Sequence, residues 1–115
     1  MDSINMVQKI NFNNITGNPL WSKVSANSTL DVGYRYIVDC SSGNTVLTLP
    51  SAPRVGDEVR VIDFKGAANT TNLIVMERNG NMIEGETANA VIDVARAGFG
   101  FVYTGSEQGW VLIEV

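Results

Sequence analysis

Carboxylates are the side chains in this chain best equipped for chemistry. Asp39, Asp57, Glu58, Asp63, Glu77, Glu84, Glu86, Asp93, Glu107 and Glu114 all lie on β-rich sequence. A glycosidase would need two of them facing a sugar about 5–9.5 Å apart. A β-rich chain with this many acids places such a pair by accident, so their number identifies none. Asp39 and Asp63 each end an apolar run before a turn, where a carboxylate usually accepts backbone N–H groups. The chain has no histidine, which removes most acid–base, Ser-His-Asp, Cys-His and zinc arrangements. Its single cysteine, Cys40, rules out an internal disulfide. Beside Tyr36-Ile37-Val38 it reads as a small buried side chain with no base to activate it. Asn79-Gly80-Asn81 with Glu84 and Glu86 offers oxygen ligands without calcium-loop spacing, and a hairpin turn explains it better. No Gly-rich loop leads into a helix, so a phosphate cradle is absent. The expectation is a protein that is not an enzyme and holds no cofactor or metal.

The elements that must position these residues are short strands. The chain is organised around Tyr34 to Phe64, where Tyr34–Asp39, Thr45–Leu49 and Glu58–Phe64 are rich in Val, Ile, Tyr, Thr and Phe. Ser41-Ser42-Gly43-Asn44 separates the first two, and Pro50 to Asp57 stops the second, because neither Pro50 nor Pro53 can donate a ladder hydrogen bond. Leu73–Glu77 follows, then Asn79-Gly80, the strongest two-residue hairpin signal in the chain. Asn81–Glu84 reads as its short return. Ala90–Ala95, Phe99–Tyr103 and Trp110–Val115 complete the series. No window sustains apolar positions at helical spacing. The alanines of Thr87–Arg96 allow a helix there, and the β-branched Val91, Ile92 and Val94 favour a strand. About eight short strands predict an all-β fold, a small antiparallel β-sandwich or barrel.

Residues 1–32 differ in composition, with many asparagines and few apolar residues, and read as an extended N-terminal arm. One short strand near Leu20–Ser25 is expected in it, anchored by Trp21; residues 33–115 form the β-module. At 115 residues the chain is one domain. Net charge is −4, with the basic residues scattered singly along the sequence. That pattern argues against nucleic acid and against a charged membrane surface as partners. The N-terminus lacks the apolar core of a signal peptide, and no run approaches a membrane span, so synthesis in a cytoplasm is expected. Leu73–Met76, Phe99–Tyr103 and Trp110–Ile113 are apolar on both faces. One small sandwich cannot bury both faces of so many strands, which predicts a homo-oligomer with Val75, Phe99, Phe101, Tyr103 and Trp110 at the subunit interface. Trp21, Tyr34, Tyr103 and Trp110 are also candidate glycan platforms, although strand-borne aromatics more often serve a core or an interface.

The order Tyr36–Asp39, Ser42–Asn44, Val46–Pro50, Ala52-Pro53, Val55–Asp57 and Val59–Asp63 resembles a β-module of tailed-bacteriophage virion proteins. Asn72–Val75, Asn79-Gly80, Ile83-Glu84-Gly85, Phe101–Tyr103 and Gly109-Trp110 continue the likeness, which covers about four fifths of the chain. The resemblance implies a structural protein of the virion, often trimeric, made in the host cytoplasm. A single module behind a short arm suits a capsid decoration or cement protein bound to the major capsid protein or another virion protein. The contacts expected from the arm are Ile10, Phe12, Ile15 and Trp21, with Asn13, Asn14 and Asn18 hydrogen-bonding to the shell. The alternative is a tail-fibre or tail-appendage module that trimerises and binds a host receptor or glycan.

Overall fold

The computed structural model describes residues 21–95 and 98–114. Nine strands and no helix are found among them. They are β1 (Trp21–Val24), β2 (Ser28–Thr29), β3 (Arg35–Val38), β4 (Thr45–Thr48), β5 (Glu58–Asp63), β6 (Ile74–Glu77), β7 (Ala90–Ile92), β8 (Gly98–Tyr103) and β9 (Trp110–Glu114). Sheet A has the order β9-β8-β5-β3-β1, and sheet B the order β2-β4-β6-β7.

The all-β expectation holds, but the purely antiparallel one does not. β1, β3 and β5 pair in parallel in sheet A, and β2, β4 and β6 pair in parallel in sheet B. The chain alternates between the sheets from β1 to β6, so each connection crosses the sandwich instead of reversing in place. Strands two apart in sequence then become neighbours, as in a flattened coil. Antiparallel pairing enters only afterwards, where β7 joins β6 and where β8 and β9 extend sheet A from β5. The two sheets are therefore mixed.

Asparagine side chains hold successive coils together at the crossings. Asn27 Oδ1 accepts the Val46 N–H at 2.8 Å, and Asn44 Oδ1 accepts the Leu73 N–H at 2.8 Å. Each satisfies a backbone donor just outside a ladder, where no neighbouring strand supplies a carbonyl.

The core lies between the sheets. Alternation along β5 sends Val59, Val61 and Asp63 inward while Glu58, Arg60 and Ile62 face out half-buried. Tyr36, Val38, Phe99, Phe101, Tyr103 and Trp110 join them from sheet A, and Leu47, Ile74 and Met76 face them from sheet B. Leu30, Cys40, Leu49 and Ile83 come from the connections. Burying a large apolar side chain of this kind contributes about 1.5–3 kcal/mol. β1 and β2 are working members of the two sheets and Leu30 is only 1% exposed, so the folded unit takes in residues assigned above to the arm.

The Asn79-Gly80 turn forms with φ of 50° and 89° at its two central residues, closed by the Asn81 N–H on the Arg78 carbonyl. Its return differs from the expectation. Asn81–Glu84 is not a strand, and β6 pairs instead with β7 further along. The reason lies in what the turn touches: Asn79 Nδ2 donates to the Leu49 carbonyl and Asn81 Nδ2 to the Ser51 carbonyl. Those bonds tie the turn to the segment after β4 and carry Met82-Ile83-Glu84 toward β9, where Ile83 bridges to Trp110.

Candidate functional site

The carboxylates serve the backbone. Asp63, 5% exposed, accepts the Ala67 and Ala68 N–H groups, and Asp57 accepts the Arg54 N–H at 2.7 Å. Asp39 accepts both the hydroxyl and the N–H of Ser41, at 2.6 and 3.0 Å. Those two hydrogen bonds, with Lys65 nearby, hold its carboxyl below the usual range. Glu77 accepts the Asn79 N–H at 3.1 Å. Cys40 is fully buried; burial pushes its thiol up, with Asp63 adding to the shift, and its Sγ donates weakly to the Asn72 carbonyl. Among the described residues no group of three His, Cys, Asp or Glu is placed to hold a metal ion.

Two surfaces remain that could bind something. The first is the outer face of sheet A. Parallel register aligns Trp21 with Arg35 and Arg35 with Arg60, while Lys23 aligns with Ile37 and Ile37 with Ile62. Three cations far apart in sequence thereby share one face. Arg35 lies over the Trp21 ring at 5.7 Å, and Lys23 over the Phe64 ring at 4.2 Å. Such contacts are worth roughly 0.5–1 kcal/mol at exposed sites and bias these two cations toward the rings. Arg60 pairs with Glu58 on its own strand. Glu58 thereby offsets Arg60 on this face, and Arg35 and Lys23 are its cations set over aromatic rings. Gly100 makes room for this arrangement: a Cβ there would stand 3.0 Å from the Ile113 side chain and 3.3 Å from that of Arg60.

The second surface is an apolar cleft of about 540 Å³ where the two sheets part, between β7 and β9. Phe99, Phe101 and Leu112 line it from sheet A, Ala90 and Ile92 from sheet B, with Ile83 between them. Val91, Val94 and Leu112 stand 52%, 64% and 46% exposed around it. Glu84 and Asp93 also line it, both exposed.

The residues singled out from sequence fall differently. Trp21 is exposed on the cationic face. Ile10, Phe12, Asn13, Asn14 and Ile15 lie outside the described residues. Phe101, Tyr103 and Trp110 are 2%, 9% and 0% exposed, packed within a single chain, with Tyr103 edge-on to Trp110 at 5.4 Å. Their apolar surface is thus covered without a second subunit. Phe99 and Phe101 do reach the cleft wall, and Val75 is half-buried on the outer side of sheet B. The cationic face was missed because Lys23, Arg35 and Arg60 meet only through parallel pairing. No family model matches the sequence, and no curated protein matches it.

Proposed function

We propose that this chain is a non-enzymatic structural protein of a tailed-phage particle, an oligomeric decoration or cement protein that binds the shell. The observation that carries the reading is the outer face of sheet A: Trp21, Lys23 and Arg35, with Arg60 paired to Glu58 beside them, make a cationic and aromatic surface on a chain of net charge −4. A surface with Lys23 and Arg35 set over aromatic rings suits docking to an acidic protein surface, since part of their side-chain entropy is already given up before binding. The likeness of its ordered strand and turn segments to phage β-modules supplies the class of partner. Function then resides in binding alone, with the sandwich as a rigid support and Trp21 as an apolar anchor at the centre of the contact.

Copy number tests this directly. Quantitative mass spectrometry of purified particles should find this chain in hundreds of copies, and a handful at the tail would replace the cement reading with the tail-appendage one. Binding of the purified protein to particles lacking it should weaken at least tenfold at low salt for Arg35→Ala with Lys23→Ala, and that difference should shrink as salt is raised. Unchanged binding by that variant would remove the cationic face from the contact.

A further inference from the structure

We propose that a trough across the outer face of sheet A binds an extended peptide segment of alternating acidic and apolar residues. This deepens the reading above: it rests on the cationic face being a contact surface, and not on the partner being a shell. The trough, about 250 Å³, is lined by Trp21, Arg35, Arg60, Val61, Ile62 and Phe99. Register explains its shape. Trp21, Arg35, Arg60 and Gly100 align across β1, β3, β5 and β8, so one wall is a row of an indole and two guanidinium groups. Ile62, two residues along β5 from Arg60, supplies the facing wall. Val61 and Phe99 are paired and send their side chains into the core, so what they offer outside is backbone. Gly98 and Gly100 flank Phe99 on the outer face and leave that floor without side chains.

The lining specifies the ligand. Arg35 is paired with no carboxylate among the described residues, and Arg60 meets Glu58 from outside the trough. Two guanidinium groups on one wall call for an anionic group, and their forked N–H donors match a carboxylate. Ile62 on the facing wall calls for an apolar neighbour. No side chain of the lining is a hydrogen-bond acceptor, so the hydroxyl groups of a sugar would go unpaired there. The chain's net charge of −4 opposes a long polyanion, whereas a short segment feels mainly these nearby cations.

Dimensions select an extended chain. The trough crosses from β1 to β8, three strand spacings or about 14 Å, which about four extended residues span. Its walls rise two residues apart on β5, about 7 Å between Cα atoms. An extended segment lying between them sends alternate side chains to opposite walls, acidic toward Arg35 and Arg60 and apolar toward Ile62. β5 is already paired on both sides, with β3 and β8, so the segment lies on the sheet and adds no strand to it. Recognition then depends on its side chains.

A short capped peptide of alternating glutamate and leucine, titrated into the full chain and followed by NMR, tests this. The Trp21 indole N–H and the amides of Arg35 and Ile62 should shift and saturate. Arg35→Ala with Arg60→Ala should weaken the peptide about tenfold, as should serine in place of leucine. Arg35→Glu should lose the glutamate peptide and gain one of alternating lysine and leucine, an exchange that misfolding would not produce. Equal affinity of the parent for the two peptides would overturn the proposal, and so would shifts centred on the cleft between β7 and β9. Tighter binding of a uronic-acid oligosaccharide would replace the peptide with a glycan and overturn it too. Particle binding is scored in a separate assay. Peptide bound without particles would end the virion reading and leave this one standing, and particles bound without peptide would end this one alone.

Discussion

The carboxylate of Glu84 accepts the Leu112 N–H at 2.7 Å, in the place where a further strand of sheet A would put a carbonyl. Glu84 holds a positive φ of 54° to do so, and its own N–H donates to the Trp110 carbonyl. A charged side chain on an exposed edge is a recognised guard against edge-to-edge pairing. Here it also covers the backbone groups that would pair.

Removing that acceptor should expose the edge. Glu84→Ala is expected to cost about 1 kcal/mol in denaturant unfolding and to increase light scattering at high protein concentration. Glu84→Gln keeps a carbonyl oxygen in reach of Leu112 and should stay close to the parent on both measures. Equal behaviour of the Ala and parent proteins would show that Glu84 guards nothing.

Gly109 is a position where the fold admits no side chain. Its φ is 74°, and a Cβ there would sit inside the Met82 carbonyl group. That carbonyl receives the Trp110 N–H at 2.8 Å, so moving it would loosen the start of β9. Gly109→Ala should cost more than 3 kcal/mol, about the value at which a backbone clash adds to strain at positive φ. Gly43 also has positive φ but open space around it, so Gly43→Ala should cost about 1 kcal/mol and serves as the control. Similar midpoints for the two variants would refute the clash.

Trp110 carries an unusual debt. It is fully buried, and its Nε1–H has no acceptor among the described residues. Its ring fills space against Tyr103, so Trp110→Ala should cost about 3–5 kcal/mol through the cavity it leaves. Trp110→Phe keeps much of the packing and removes a desolvated donor worth roughly 1–3 kcal/mol when unpaired. Its net cost should therefore be under about 1.5 kcal/mol. A Phe variant as unstable as the Ala variant would mean that the indole N–H is satisfied in solution.

The strands were legible where one face is buried, because β5 writes its alternation directly into Glu58–Asp63. The Asn79-Gly80 turn was legible for a similar reason, since positive φ at both positions restricts residue choice. Pairing was not. A four-residue link such as Ser41–Asn44 can close a hairpin or cross between sheets, and the same Gly and Asn serve either. The crossing is accompanied by hydrogen bonds across distant sequence, as from the Leu73 N–H to Asn44 Oδ1, which no local pattern announces. The cationic face was hidden by the same gap, because Arg35 meets Arg60 only once parallel register is known. The cleft was foreshadowed by Phe99 and Phe101, though for a subunit contact on strands whose other aromatics the chain buries by itself.

Tyr36 ties stability at alkaline pH to the second crossing, between β2 and β3. Its phenol oxygen accepts the Asp31 N–H at 2.9 Å, and the side chain is 6% exposed. Burial pushes its pKa up from the ordinary 10.0, outweighing the hydrogen bond from Asp31, which acts the other way. The fold therefore favours the neutral phenol. Its contribution is fully present below pH 10, the unfolded value, and is lost as pH rises through the higher folded value. Tyr36→Phe should lose the bond to Asp31, about 1 kcal/mol at neutral pH, and should decline less than the parent above pH 10. Unfolding midpoints at pH 7 and pH 11 check both halves, and parallel declines in the two proteins would rule Tyr36 out as the group responsible.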